Sequence, residues 1–125
     1  MLKEIIISIM IIVVIVSLDF FTQNYANESI KQTTTMLNDL KEKIKKGEDS
    51  INNIDGLVAS WENRRKKLAY FIEHDELEKV ETSLTGLYSF IETEEYTEAT
   101  SELDKSNFIL KHIEEKYAFN LENIF

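Results

Sequence analysis

The chain has 125 residues, with 14 Lys and Arg against 23 Asp and Glu; this net charge of −9 argues against a nucleic-acid partner, which needs a basic face. It contains no cysteine, which excludes disulfides, thiolate catalysis and cysteine-ligated zinc. The lack of proline and the low count of three glycines favour long helices joined by short turns, so composition predicts an all-α protein.

The N-terminal segment, residues 2–21, is almost continuously apolar. Its charge-free part, Ile5–Leu18, spans only about 21 Å as a helix, less than the roughly 30 Å hydrocarbon core of a bilayer. The whole segment is long enough to cross that core, and its charged residues lie near its ends: Lys3, Glu4 and Asp19. We therefore predict that residues 1–21 form an uncleaved transmembrane anchor that contacts membrane lipid through residues 2–21.

Two alternatives for this segment remain open. A cleaved signal peptide would need small residues at positions −3 and −1, but a cut after Ala26 places Asn24 at −3 and a cut after Ser17 places Ile15 there. A buried helix of a soluble protein would show a polar face, and the run offers only Ser8 and Ser17.

The flanking charges predict the orientation of the anchor. Lys3 lies on the N-terminal flank, whereas Asp19 and Glu28 precede the first lysine of the other flank, Lys31. By the positive-inside rule, the N-terminus is cytoplasmic and the rest of the chain is extracytoplasmic, which describes a single-pass protein of the cell membrane. Glu4 at the start of an apolar helix is also a feature of type IV pilins, but no glycine-containing processing site precedes it.

The first helical segment is predicted to continue from the anchor without a break. Beyond the anchor its apolar residues recur at helical intervals: Ile30, Leu37, Leu40 and Ile44. The sequence Lys45-Lys46-Gly47 predicts a helix end near Lys46, because lysine favours the last turn and glycine the position after it.

Three further segments carry apolar stripes at helical spacing. The second stripe comprises Ile51, Ile54, Val58, Trp61, Leu68 and Ile72. Asp75 and Glu78 then predict a capping box at the start of the third helix, whose heptad seam comprises Leu77, Val80, Leu84, Leu87 and Ile91. After residues 93–95 the fourth stripe comprises Tyr96, Ala99, Leu103, Leu110, Ile113 and Tyr117.

These segments predict that residues 22–125 form an up-down antiparallel helical bundle continuing from the transmembrane helix. The turn at His74 and the C-terminus then return near the membrane, where the last apolar residues either enter the interface or cover the end of the bundle: Phe119, Leu121, Ile124 and Phe125. Aromatic residues at helical spacing are expected in the core: Trp61, Tyr70, Phe71, Tyr88, Phe90 and Phe108.

The basic cluster Arg64–Lys67 is the most concentrated charge in the sequence. Four consecutive helical residues point around most of the helix, so they favour a solvated face paired with the acidic third and fourth helices. Contact with anionic lipid headgroups or wall polymers is the alternative.

We expect no catalytic, cofactor-binding or metal-binding residues, and no cofactor. His74 and His112 come to the same end of an antiparallel hairpin, but the Glu-x-x-His motif of di-iron bundles is absent, since Phe71 and Ile109 occupy the positions three residues earlier. No nucleophile elbow and no glycine-rich phosphate loop is present. The sequence therefore favours a protein that is not an enzyme.

Several stretches together resemble a known family. The apolar N-terminal span and Trp61 are followed by LAYFIEHDELEKVE (68–81), YTEATSEL (96–103) and the closing LENIF (121–125). With these features the chain resembles the clostridial-type membrane-anchored family catalogued as domain of unknown function 4363. The resemblance implies a bacterial, membrane-anchored helical protein and brings no catalytic residues with it.

The sequence leads to two hypotheses for function. The first is a non-enzymatic protein-interaction or scaffolding module at the bacterial cell envelope, whose unknown protein partner meets the third and fourth helices or the turn at the membrane. The alternative is a sensor-type helical bundle that binds a small ligand, which would need a pocket with convergent polar groups between helices. Either hypothesis allows a homo-oligomer.

Overall fold

The protein is a four-helix bundle whose first helix extends well beyond the bundle core. The computed structural model describes residues 1–124, and side chains through residue 117. Within residues 1–124 the helices are α1 (Leu2–Lys46), α2 (Ile51–Leu68), α3 (His74–Glu92) and α4 (Tyr96–Ile124). In this part of the chain each helix packs against the next and α4 packs against α1, without close backbone contact across the diagonals. This arrangement confirms the predicted all-α up-down bundle.

Helix α1 is a single helix of 45 residues, which confirms that the apolar segment continues into the bundle. It ends at Lys46 because Gly47 takes a left-handed conformation with φ of 72°. The N–H of Gly47 donates to the carbonyl of Ile44 at 3.1 Å, and the N–H of Glu48 donates to the carbonyl of Lys43 at 3.0 Å. This pair of bonds is a Schellman motif, which glycine favours because it lacks a Cβ.

Helix α3 ends with the same pair of bonds, but without a glycine. Glu94 has φ of 60°, and its N–H donates to the carbonyl of Ile91 at 3.1 Å. The N–H of Glu95 donates to the carbonyl of Phe90 at 2.8 Å. A left-handed residue with a Cβ costs roughly 1–2 kcal/mol, so this turn stores backbone strain that composition alone did not predict.

The start of α3 differs from the prediction. The helix begins at His74, and its N-cap Glu73 makes no side-chain capping hydrogen bond. The predicted capping box of Asp75 and Glu78 is wrong, because Asp75 already lies in the first helical turn. There the carboxylate of Asp75 instead interacts favourably with the positive end of the helix dipole.

One apolar cluster fills the bundle. Its buried members are Ala26, Ile30, Leu37, Leu40, Ile54, Leu57, Trp61, Leu68, Ile72, Leu77, Val80, Leu84, Leu87, Ile91, Ala99, Leu103, Leu110 and Ile113. Most of the predicted stripe residues are among them, but Ile51 and Tyr96 are exposed because each is the first residue of its helix. Leu57 was not predicted and is fully buried, whereas the predicted Val58 is only half-buried.

A polar layer interrupts this core near the end of the bundle that lies next to the apolar run. Arg64 follows Leu57 by one heptad, so it points between α1 and α2. Its guanidinium donates to Oγ of the fully buried Ser29 at 3.0 Å, and Thr33 donates to the carbonyl of Ser29 at 2.8 Å. These bonds satisfy polar groups that would otherwise be costly to bury, and they fix α2 against α1.

Small residues bring α3 and α4 close together. The buried Ser106 donates to Oγ of Ser83 at 2.8 Å, and Ser83 donates to the carbonyl of Glu102 at 3.1 Å. Next to them a Cβ at Gly86 would lie 3.4 Å from the Glu102 side chain, which is ordinary contact. The short side chains let the two backbones approach, and they make α3 and α4 the most extensively packed pair.

Candidate functional site

Of the side chains that the structure describes, those at the start of α1 form the most extensive exposed apolar surface. Every residue of the run 1–18 is exposed, and nearly all of its side chains are large and aliphatic. Among the described residues, α1 is the helix long and apolar enough to cross a membrane, and its most apolar stretch is not buried at all. A signal sequence has the same position and composition, so length and composition agree with both.

Of the basic cluster Arg64–Lys67, the two arginines bond to groups on neighbouring helices, whereas the two lysines are exposed. While Arg64 is bonded to α1 as described above, Nε of Arg65 lies 3.4 Å from a carboxylate oxygen of Glu81 on α3. Lys67 is exposed, and its Nζ lies 5.8 Å from the ring centre of Tyr25 on α1. Lys66 is also exposed. The pairing predicted with the acidic helices is therefore made by Arg65, whereas the two lysines face solvent.

The turn between α2 and α3, residues 69–73, presents an aromatic side chain to solvent. Tyr70 is 89% exposed, so its predicted place in the core is wrong. Its neighbour Phe71 is half-buried and meets the ring of Tyr25 edge to face, with centroids 6.4 Å apart. The predicted interfacial residues of the C-terminus lie outside the described side chains: Phe119, Leu121, Ile124 and Phe125.

A small ionic cluster lies beside this turn. Nζ of Lys116 on α4 is 3.5 Å from a carboxylate oxygen of Glu73 and 3.5 Å from one of Glu76, which is buried. The hydroxyl of Tyr117 accepts a hydrogen bond of 2.8 Å from the N–H of Glu73. Burial alone would lower the pKa of Lys116, but the carboxylates of Glu73 and Glu76 outweigh it, so its pKa is raised. These contacts fasten α4 to the turn.

The two histidines are surface residues. His74 is the first residue of α3, and its Nε2 lies 3.8 Å from a carboxylate oxygen of Glu78. His112 is on the exposed side of α4. In the part of the chain that the structure describes, no three His, Asp or Glu residues approach closely enough to hold a metal ion.

An open cleft of about 650 Å³ runs along the outer side of α3 and α4. Phe108 stands in it with 74% of its surface exposed, so its predicted place in the core is also wrong. Ile109 continues the apolar floor, and charges of both signs line the cleft: Lys79, Lys105, Asp75 and Glu78. The apolar stripe of α4 could have indicated this exposure. Ser106 and Leu110 face inward one helical turn apart, so Phe108, two residues from each, points to the opposite side of the helix.

A second cleft, of about 300 Å³, opens between α2 and α3. Trp61 and Tyr88 line it together with Glu62 and Glu81. The indole N–H of Trp61 is buried and has no hydrogen-bond partner. A hydrogen bond to Asp55 and the negative charge of that carboxylate raise the pKa of Tyr88 above its usual value of 10.0. Two aromatic rings and several acceptors thus converge on this cleft.

The family of the chain follows from comparison with known proteins. No curated protein and no solved structure matches it. Residues 20–124 match the model of the family described as a domain of unknown function, DUF4363. This match begins near the end of the apolar run and spans the whole bundle, so it confirms the resemblance seen in the sequence. The chain is therefore a member of the DUF4363 family.

Proposed function

We propose that this chain is a membrane-anchored, non-enzymatic protein-interaction or scaffolding module of the bacterial cell envelope. The observation that carries the proposal is the exposed apolar run at residues 1–18, which shares one uninterrupted helix with the bundle core. An apolar helix this long and bare is unfavourable in water and favourable in a bilayer, where its backbone groups are already paired within the helix.

Packing at the base of the bundle supports retention of the anchor. Ala26 is buried in the core cluster, and Tyr25 contacts both Phe71 and Lys67. A signal-peptide cut after Ala26 would remove both residues from the fold. A cut after Ser17 would leave the bundle intact, so the mass of the mature chain distinguishes cleavage there from an intact anchor.

The surface that we assign to a protein partner is the cleft around Phe108. A large exposed aromatic residue flanked by charged side chains is typical of binding hot spots, because it buries much apolar area at little cost in conformational freedom. In this bundle the aromatic side chain has no packing role of its own, since 74% of it is exposed. The partner would bury Phe108 and meet the lysines and carboxylates of the cleft with charges of the opposite sign.

The test places a photocrosslinking phenylalanine analogue at position 108 of the full-length chain in a Gram-positive host. The matched control is position 63, because Asn63 is exposed on α2, the helix diagonal to α4. One protein crosslinked reproducibly from position 108 and absent at position 63 would support the scaffold. Equal products from both positions, or none from either, would contradict it.

A second candidate function, a ligand-binding sensor-type bundle, is favoured by the cleft between α2 and α3. Trp61 lines this cleft, and its buried indole N–H has no partner, so a small molecule that opened the cleft and carried a hydrogen-bond acceptor would satisfy it. Trp61 is the single tryptophan of the chain, so its fluorescence reports on this cleft directly. A saturable spectral shift with such a ligand, lost in Glu62→Ala, would favour the sensor over the scaffold.

A further inference from the structure

The turn between α2 and α3 combines features that the fold itself does not use. Tyr70 is 89% exposed although it neighbours the half-buried Phe71. Lys66 and Lys67, which end α2, are exposed as well. Tyr70 and Lys66 have no role in the fold, and the exposed Lys67 contacts only the ring of Tyr25. Together they point to a surface that meets something outside the bundle.

The position of this turn along α1 is fixed by two contacts. The ring of Tyr25 lies 6.4 Å from that of Phe71, and Nζ of Lys67 lies 5.8 Å from the same tyrosine ring. Tyr25 follows Phe21, the last residue of the apolar segment, by four residues, which is about 6 Å along a helix axis. The turn therefore stands about 6 Å beyond the end of the apolar segment.

This height coincides with the headgroup layer of a bilayer. The hydrocarbon core is about 30 Å thick and the whole bilayer about 40–45 Å, which leaves roughly 5–8 Å of headgroups on each side. With residues 2–21 in the core, the turn lies at the depth of the lipid phosphates. Tyrosine and lysine are enriched at that depth, because tyrosine has an apolar body and a polar tip, and lysine carries its charge on a long apolar stem.

Three of the four acidic residues near the turn lie close to a basic side chain. Glu73 and Glu76 share Lys116, each at 3.5 Å. Asp75 lines the cleft between α3 and α4 on the side of the bundle, and Glu78 lies 3.8 Å from His74. In the described part of the chain Lys66 and Lys67 make no ion pair, and their sign complements phosphate, whereas Asp75, which is exposed and also makes no ion pair, lines the cleft around Phe108.

We propose that the α2–α3 turn docks on the phosphate layer of the same membrane that α1 enters, with Tyr70 among the headgroups and Lys66 and Lys67 in contact with lipid phosphates. This inference rests on the membrane anchoring proposed above. The bundle then meets the membrane at two points, the anchor and the turn, which fixes the rotation of the bundle about the axis of the anchor.

The test measures depth by electron paramagnetic resonance in vesicles of phosphatidylcholine and phosphatidylglycerol. The chain has no cysteine, so single cysteines can be introduced and spin-labelled in the full-length protein without a background signal. The variants are Tyr70→Cys at the turn, Ile12→Cys in the apolar run and Glu48→Cys at the opposite end of the bundle. Accessibility to oxygen and to a water-soluble nickel complex then gives the depth of each label.

We expect the label at position 12 in the hydrocarbon, the label at position 70 at headgroup depth and the label at position 48 in bulk water. If the label at position 12 is shielded from water while the label at position 70 is as accessible to the nickel complex as the label at position 48, the docking is overturned and the anchoring remains intact. A label at position 12 that is open to water would overturn both.

A charge reversal tests the role of the lysines. Lys66→Glu combined with Lys67→Glu should shift the label at position 70 away from the headgroups. The matched control reverses Lys45 and Lys46, the exposed pair that ends α1 at the far end of the bundle, and should leave the label where it is. An unchanged depth in the first pair, or an equal shift in both, would refute lysine–phosphate contact.

Discussion

The two left-handed residues that end α1 and α3 allow a matched exchange. Gly47 and Glu94 occupy the same position in equivalent turns, with φ of 72° and 60°. A Cβ built at Gly47 meets no atom within 4 Å, so a substitution there is strained by the backbone conformation alone. A left-handed residue that has a Cβ costs roughly 1–2 kcal/mol. Replacement by glycine recovers only part of this energy, because glycine also increases the conformational entropy of the unfolded chain.

We therefore expect Glu94→Gly to raise the free energy of unfolding by about 1 kcal/mol and Gly47→Ala to lower it by about the same amount. For a bundle of this size, 1 kcal/mol corresponds to a change in Tm of about 4 °C or somewhat more. The assay is urea unfolding of the full-length chain in detergent, followed by circular dichroism.

The control for the loss of charge is Glu94→Gln, which keeps the Cβ and should leave the stability almost unchanged. If Glu94→Gly were no more stable than Glu94→Gln, Glu94 would carry no measurable backbone strain at the end of α3. Strain at the left-handed residue would then explain the stability of neither turn.

Three further predictions concern the core and the ionic cluster, and each is checked by urea unfolding. Leu87 is fully buried, so Leu87→Ala should lower the free energy of unfolding by about 2–5 kcal/mol. Phe108→Ser on the exposed surface should lower it far less. Similar losses in the two variants would contradict the assigned burial. Ser106→Ala removes the hydrogen bond to Ser83 and should cost about 1 kcal/mol, and an unchanged stability would show that this bond contributes nothing. The raised pKa of Lys116 means that its stabilising effect is complete below the unfolded-state value of 10.5 and is lost as the pH rises through the higher folded-state pKa. The wild type should therefore lose stability at alkaline pH more steeply than Lys116→Met, and parallel curves would refute this.

The helices themselves were predictable because their signals are local. Continuation of α1 out of the apolar run follows from the absence of any glycine or proline between residues 2 and 46, and its end follows from Gly47. The seam of α3 was predictable for the same reason, since five aliphatic residues repeat at heptad spacing there. Such patterns reflect the geometry of one helix and need no knowledge of its neighbours.

The wrong predictions concern positions whose burial depends on neighbouring helices. Tyr70 and Phe108 are predicted in the core as aromatic residues at helical spacing, but burial depends on whether another helix covers the position. A strict heptad pattern through Ile54, Leu57 and Trp61 would have predicted that Leu57 is buried and that Arg64, seven residues after Leu57, points inward. The hydrogen bond from the half-buried Arg64 to Ser29 depends on the register between α1 and α2, and a single-helix pattern does not contain it.

The lack of a joint in α1 has a mechanical consequence. Sharp helix bends arise almost always at proline, at glycine or where the hydrogen-bond ladder is interrupted, and residues 2–46 contain neither glycine nor proline. A transmembrane helix tilts when the bilayer becomes thinner than its apolar length. With the anchor in a membrane, any such tilt swings the bundle through the same angle, so the thickness of the membrane sets the direction in which the cleft around Phe108 faces.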